Sequence, residues 1–207
     1  MTTVVGFISQ KGGVGKSTLA RALAREVALG DVSVKIGDLD VQQGTTVSWH
    51  RRRLAAGIEP VVAVEAFRTA AQALKARGDF DLLIIDGPAR ASAATLEIAR
   101  AADLIVQPTG ASIDDLEPAV LLFHELVREK VPKASLVFAL CRVGTEAEEL
   151  DARDYIAKAG YEALAGSLYE RAAYRQAQNA GQSITETRFA GLNQRADALI
   201  QAIVDRV

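Results

Sequence analysis

Gly6-Phe7-Ile8-Ser9-Gln10-Lys11-Gly12-Gly13-Val14-Gly15-Lys16-Ser17-Thr18 decides the fold. An apolar run, Val4 to Ile8, leads into this stretch. Leu19, Ala20, Leu23, Ala24 and Val27 lead out of it at helical spacing. A strand, a glycine-rich loop and a helix in that order make a phosphate-binding loop. Glycines allow a tight turn whose backbone N–H groups face inward, and the helix start beyond them favours negative charge. Gly15-Lys16-Ser17 fits the G-K-[ST] ending, while Gln10 stands where the usual pattern has its first glycine, so the loop is a variant. The candidate nucleotide-binding residues are Gln10, Lys11, Gly12, Gly13, Val14, Gly15, Lys16, Ser17 and Thr18. In such a loop the lysine at Lys16 reaches the terminal phosphates and the Ser17 hydroxyl ligates magnesium. ATP and Mg2+ are therefore the expected cofactors.

Outward from the loop, strands and helices alternate. A helix is expected from Lys16 or Ser17 to about Leu29, closed by Gly30 and Asp31. A second strand spans Val32 to Ile36 and ends at Gly37-Asp38-Leu39-Asp40. Polar and glycine residues then lead towards Trp49 and Arg51-Arg52-Arg53. Val61 to Val64 reads as a short strand, and Phe67 to Ala76 as a helix stopped by Gly78-Asp79. Residues 81–86 are a near-continuous apolar strand, which suits a sheet covered on both faces. Further strands are expected at Leu104–Pro108 and Ser135–Leu140. Helices are expected at Thr95–Ala101, Asp114–Glu129, Thr145–Gly160, 171–180 and 191–206. This alternation predicts an α/β fold with a doubly wound, mostly parallel sheet of the P-loop NTPase type.

Composition sets outer bounds. The chain has 207 residues, which fits one domain. Lys and Arg number 24 against 26 Asp and Glu, a net charge of -2, so net charge alone does not announce a nucleic-acid binder. The single cysteine, Cys141, cannot form an intrachain disulfide and reads as a small buried hydrophobe. His50 and His124 lack ligand spacing. No signal peptide or membrane-spanning run is visible, so a cytoplasmic location is the default expectation.

Three carboxylates stand out. Asp86 ends the strongest apolar strand, where a magnesium-holding carboxylate is expected beside the loop. Asp38 and Asp40 lie at another strand end. Their i,i+2 spacing turns both to one side only if the strand continues regularly. One could support magnesium and the other the attacking water.

The sequence resembles the deviant Walker A ATPases of the ParA and MinD family. The resemblance rests on K-G-G-V-G-K-S with its additional Lys11, D-L-D-V-Q at 38–42 and L-I-I-D-G-P at 83–88. It continues through A-D-L-I-V-Q-P at 102–108 and E-R-A-A-Y-R-Q-A-Q-N-A-G-Q-S-I-T-E at 170–186. It is nearest to the small ParA type and implies a single ATPase domain over 1–207. Lys11 matches the signature lysine that reaches phosphates held by the partner subunit of an ATP-bound homodimer. Lys16 and Asp40 match residues needed for catalysis. Ser17, Asp38 and Asp86 match the metal site. Val41 stands where members often carry proline, and Ser17 where many carry threonine. The resemblance implies slow, partner-stimulated ATP hydrolysis that resets a switch for plasmid or chromosome partition or cargo positioning. It also implies a ParB-like or cargo-bound adaptor. The first strand begins within five residues of the start, so a preceding repressor domain is not expected.

Small ParA proteins bind duplex DNA without sequence preference, which implies nucleoid association in the ATP state. Arg171, Arg175 and Arg195 are the first DNA-contact candidates, with Arg188 nearby and Arg51-Arg52-Arg53 the densest basic run. MinD-like proteins instead hold membrane through a C-terminal amphipathic helix. Residues 196–207 carry Leu199, Ile200, Ile203, Val204 and Val207, with one basic residue against two aspartates and no aromatic. That composition suits packing on the protein's own core, so no stable membrane association is expected. A MinD-like spatial regulator and a nucleotide-gated binding module with negligible hydrolysis are the competing readings.

Overall fold

The computed structural model describes residues 2–78, 80–89 and 93–207. Asp79, expected to help stop a helix, lies outside them. Strand β1 (Thr3–Phe7) opens the chain and helix α1 (Lys16–Leu29) follows the loop. Next come β2 (Val34–Asp38), α2 (Thr45–Ala55), β3 (Ala63–Ala66), α3 (Ala70–Lys75) and β4 (Leu82–Asp86). Then follow α4 (Ala93–Ala101), β5 (Leu104–Thr109), α5 (Ile113–Arg128) and β6 (Leu136–Val143). The chain finishes with α6 (Glu146–Lys158), β7 (Glu162–Ala163), β8 (Leu168–Tyr169), α7 (Ala172–Asn179) and α8 (Ala190–Val204).

The strand order is β3-β2-β4-β1-β5-β6-β7, with β8 also pairing on β6, and every described pairing is parallel. The doubly wound α/β architecture is thus as expected. Two apolar layers cover the sheet. Leu19 and Leu23 of α1 meet Leu199, Ile200 and Ile203 of α8 in one. Ile98, Phe123 and Ile156 from α4, α5 and α6 sit in the other. Strand β1 feeds both, because successive residues face opposite sides: Val5 and Phe7 join the first layer, while Val4 and, just past the strand's end, Ile8 join the second. The apolar face of α8 is therefore core, as its composition suggested.

Several boundaries differ from the sequence reading. Strand β2 starts two residues later, because the Asp81 carboxylate accepts bonds from the Ser33 N–H and hydroxyl and holds a turn there. Phe67 still donates to the Asp38 carbonyl, and Thr69 caps α3 by accepting from the Gln72 N–H, so that helix starts at Ala70. Helix α2 and the two-residue strands β7 and β8 were not anticipated.

Register brings the carboxyl ends of the strands into one row. Asp38 pairs with Asp86 across β2 and β4, and Asp86 pairs with Phe7 across β4 and β1. The loop after β1 opens at that row. Ligands of open α/β sheets bind at such carboxyl edges, where the strand order reverses.

Candidate functional site

The loop after β1 is built around its glycines. Gly13 has φ of 76° and Gly15 has φ of 120°, conformations that side chains disfavour. A Cβ on Gly15 would also stand 3.2 Å from the Cys141 sulfur. Cys141 is buried, and burial pushes its thiol up to about 12, as expected of an inert hydrophobe.

Lys16 lies inside this turn. Its Nζ donates to the Ser9 hydroxyl at 2.8 Å and to the Lys11 carbonyl at 3.3 Å. Burial lowers its pKa, while the charges of Asp86 and Asp40 raise it. The lysine is thus a desolvated cation with neutral partners, suited to a polyanion. Lys11 behaves differently. Its side chain is 44% exposed and its Nζ donates to Asp115 Oδ1 at 2.9 Å, outside the turn.

The carboxylates divide their work. Asp38 is fully buried and accepts three main-chain bonds, from Asp40 N–H on Oδ1 and from Thr46 and Val47 N–H on Oδ2. It therefore caps α2 from a neighbouring strand; Gly44, at the helix start, makes no side-chain cap. Burial raises the Asp38 pKa and those backbone bonds oppose the rise. Asp40 follows a turn rather than a continued strand. Its Oδ1 accepts from Gln43 N–H at 3.2 Å, so the alternation that would align it with Asp38 is broken. Asp86 is buried, and only its Oδ2 has a hydrogen-bond partner, the Thr46 hydroxyl at 2.7 Å. Oδ1 is buried without one among the described residues. Burial raises the Asp86 pKa to about 6, the neighbouring Asp38 charge adds to that, and Thr46, Ser17 and Arg21 oppose it.

An unpartnered buried carboxylate oxygen facing the Ser17 hydroxyl is a position that a cation can fill. No group of three or more His, Cys, Asp or Glu side chains suited to a metal occurs among the described residues. Magnesium needs none: one or two protein groups suffice when substrate phosphates and water complete its shell. The Asp86 oxygen and the Ser17 hydroxyl, which pairs with Thr45 at 3.3 Å, fit that requirement.

A cleft of about 160 Å³ runs over Gly12, Gly13, Lys16, Ser17, Asp40 and Thr45. A second hollow, of about 240 Å³, opens from Gly13, Gly15 and Thr18 towards Tyr169 and Tyr174. A larger hollow, about 490 Å³, lies between α1 and α8 and touches none of these loop residues. Size therefore does not single out the candidate site; what distinguishes it is that Lys16, the Asp86 charge and the glycine turn come together there.

The structure gathers Arg171 and Arg195 over the Tyr169 ring, at 5.5 and 4.1 Å from its centroid. Arg175 is 3.1 Å from Glu170 beside them, and Arg171 and Arg175 also line the second hollow. Arg188 is apart, over Phe189. The Arg51-Arg52-Arg53 run does not form one surface. Arg53 is fully buried and bonded to Glu186 and to the carbonyls of Glu59, Pro60 and Gly181.

Sequence reasoning missed Arg21, Thr46 and Gln178. Arg21 donates to the Thr46 hydroxyl and to Gln178 Oε1, and Thr18 donates to that same oxygen. The available signal was an arginine among the apolar positions Leu19, Ala20, Leu23 and Ala24 of α1.

Residues 5–184 match the family described as the CobQ/CobB/MinD/ParA nucleotide binding domain. No curated protein matches the sequence at a significant level. Among solved structures, the cell division ATPase MinD of Pyrococcus furiosus is 17% identical, with a TM-score of 0.76 and all of both chains covered. A putative plasmid partition protein of Borrelia burgdorferi bound to AMPPNP is 14% identical, with a TM-score of 0.77 and both chains fully covered. Apo McdA of Cyanothece is 19% identical, with a TM-score of 0.75, covering 98% of this chain and 100% of that one. Identities this low speak for the fold alone. The family match spans most of the chain, and the chain belongs to the CobQ/CobB/MinD/ParA nucleotide-binding family of ATPases.

Proposed function

We propose that this chain is a ParA-type positioning ATPase that dimerises on ATP, binds duplex DNA without sequence preference and is reset by partner-stimulated hydrolysis. The observation that carries the reading is the division between the two lysines. Lys16 is enclosed by its own loop, whereas Lys11 stands outside and partly exposed. A lysine held away from its own cradle is placed to serve phosphates in another subunit.

Within one subunit, the loop amides from Gly12 to Ser17 and Lys16 hold the phosphates. Ser17 and Asp86 hold magnesium, which when bound neutralises charge on the phosphate oxygens. Asp38 acts by fixing the backbone of residues 40–47. Asp40, at the cleft rim, orients and polarises the water. The MinD of Pyrococcus horikoshii has been solved with Mg-ADP, which agrees with this cofactor set. A MinC:MinD complex from Aquifex aeolicus agrees with dependence on a protein partner. Here the partner is proposed to be a ParB-like or cargo-bound adaptor.

For DNA, Arg171, Arg175 and Arg195 share one patch around Tyr169 and Glu170. Closing a dimer doubles such a patch without changing net charge per subunit. The membrane reading loses support, because Leu199, Ile200 and Ile203 are consumed by the core. No helix among the described residues is long and apolar enough to cross a membrane.

The test combines light scattering with duplex binding, in ADP and in non-hydrolysable ATP. The expected result is an ATP-dependent dimer that retains two unrelated duplexes equally and releases them steeply as salt rises. Equal, negligible binding in both nucleotide states rejects the DNA reading, and retention on liposomes under ATP would favour the MinD-like one.

A further inference from the structure

A polar cleft of about 360 Å³ lies beside the loop, between α2 and α7. Arg21, Arg52 and Arg175 line it, with Ser48 and Gln178 between them. It shares Gln43 and Thr45 with the cleft over the loop. Among the described residues no carboxylate lines it. Arg175 has Glu170 as an ion-pair partner, but Arg21 and Arg52 have none among the described residues.

Arg21 and Arg52 have no direct ion pair among the described residues, though the Asp86 and Asp38 charges act on Arg21 from behind, so the concavity presents guanidinium donors that an anion can use. Arg21 makes the case sharper because it is only 6% exposed. Burial pushes its pKa down to about 10; the charges of Asp86 and Asp38 oppose that, and the nearby Arg52 charge adds to it. Its guanidinium is held rigidly by Thr46 at 3.1 Å and Gln178 at 3.1 Å, and it faces the Trp49 ring at 5.7 Å. Arg52 donates to the Gln178 carbonyl at 3.3 Å, so the same residue orders both arginines. Planar guanidinium forks held in place suit the tetrahedral oxygens of phosphate.

We propose that this cleft is a second oxyanion site, separate from the loop, that takes a phosphate group between Arg21, Arg52 and Arg175. The site is wired to the loop. Arg21 bonds Thr46, whose hydroxyl bonds Asp86 at 2.7 Å, and Gln178 Oε1 accepts from both Arg21 and Thr18. Filling the cleft therefore pulls on Asp86 and on Thr18 at the end of the loop. The phosphate could be free inorganic phosphate or part of a nucleic-acid backbone; the chemistry is the same and experiment separates the sources.

Trp49 is the chain's single tryptophan, and its ring is faced by Arg21 at 5.7 Å and by the buried, ion-paired Arg53 at 5.5 Å, so a change at Arg21 is read against a fixed neighbour. Inorganic phosphate is titrated at constant ionic strength while Trp49 fluorescence and the melting temperature are followed. The wild type, Lys16→Ala and the double variant Arg52→Gln/Arg175→Gln are compared. Arg52 and Arg175 are exposed, so their removal leaves the core intact. The expected result is a saturable response in wild type and Lys16→Ala alike, weakened about tenfold or more in the double variant, as charge-assisted hydrogen bonds dictate. A response lost in Lys16→Ala and kept in the double variant overturns the proposal, because the loop would then be the anion site. So does a wild type that shows neither fluorescence change nor thermal stabilisation. A short duplex that displaces phosphate from Lys16→Ala, with the same dependence on Arg52, identifies the source as backbone; a duplex that binds without displacing it identifies free phosphate.

Discussion

Lys11 Nζ lies 2.9 Å from Asp115 Oδ1, joining the phosphate loop to the first turn of α5 across 104 residues of sequence. Both partners are partly exposed, at 44% and 22%, so the pair contributes at most about 1 kcal/mol to stability. Its consequence is positional: Lys11 is occupied within its own subunit. Asp115→Asn is expected to leave the melting temperature nearly unchanged and to promote ATP-dependent dimerisation severalfold, by freeing Lys11 for a partner's phosphates. Light scattering across a concentration series measures this. An unchanged dimer affinity would falsify the idea that the pair holds Lys11 back.

Lys16 has the opposite setting. Its ammonium is enclosed, desolvated and held by two neutral oxygens. Lys16→Ala is expected to weaken ATP binding by about a hundredfold or more, since each charge-assisted hydrogen bond contributes about 1.5–3 kcal/mol. Calorimetry showing near-normal affinity would remove Lys16 from the phosphate site.

Asp40 borders the cleft, and among the described residues its side chain accepts only from the Gln43 N–H. Asp40→Ala is therefore expected to bind ATP with affinity within a few-fold of wild type while its turnover falls by about a hundredfold, within the range that positioned acid–base groups contribute. Sizing chromatography with ATP should then find the dimer accumulated. A variant that stays monomeric while binding ATP tightly argues against this role.

The parts of the fold legible in the sequence were those specified locally. The run of apolar residues at 82–85, too short for a helix of ordinary length and rich in branched side chains, reads as a covered strand, and the glycines before Lys16 announce their own turn. Helix α2 was illegible because its start is specified elsewhere. Gly44 sits in a left-handed conformation and offers no side chain, while Asp38, six residues back on a strand, accepts the helix's first amides. The site was legible to the same degree. Lys16 and Ser17 follow from spacing, but the link from Arg21 through Thr46 to Asp86 joins three separate elements and leaves no local pattern. Nor could the number of arginines at 51–53 reveal their roles. Successive helix residues point about 100° apart, so three in a row cannot share one face.

That division gives the last prediction. Arg53 is fully buried against Glu186, with its Nη1 2.7 Å from Oε2, whereas Arg51 is exposed. Arg53→Ala is expected to cost about 3–5 kcal/mol, because it leaves three carbonyls without their donor and removes the main charge partner of Glu186, which keeps only Arg25 and the Ser183 N–H. Arg51→Ala should stay within about 0.5 kcal/mol of wild type. Equal losses at the two positions would contradict the split. The pair also fixes a pH dependence. Burial raises the Glu186 pKa, but bonds from Arg53 and Ser183 N–H, with the charges of Arg53 and Arg25, outweigh it and hold the carboxyl below its ordinary 4.5. The folded state thus binds this proton less readily than the unfolded chain. The stabilisation is complete above about pH 4.5 and is lost as pH falls through the folded value. Urea unfolding of wild type and Glu186→Gln over that acid range should show the stability gap between them closing as pH falls. A gap that stays constant with pH would mean that Glu186 acts through shape and hydrogen bonding alone, and not through its charge.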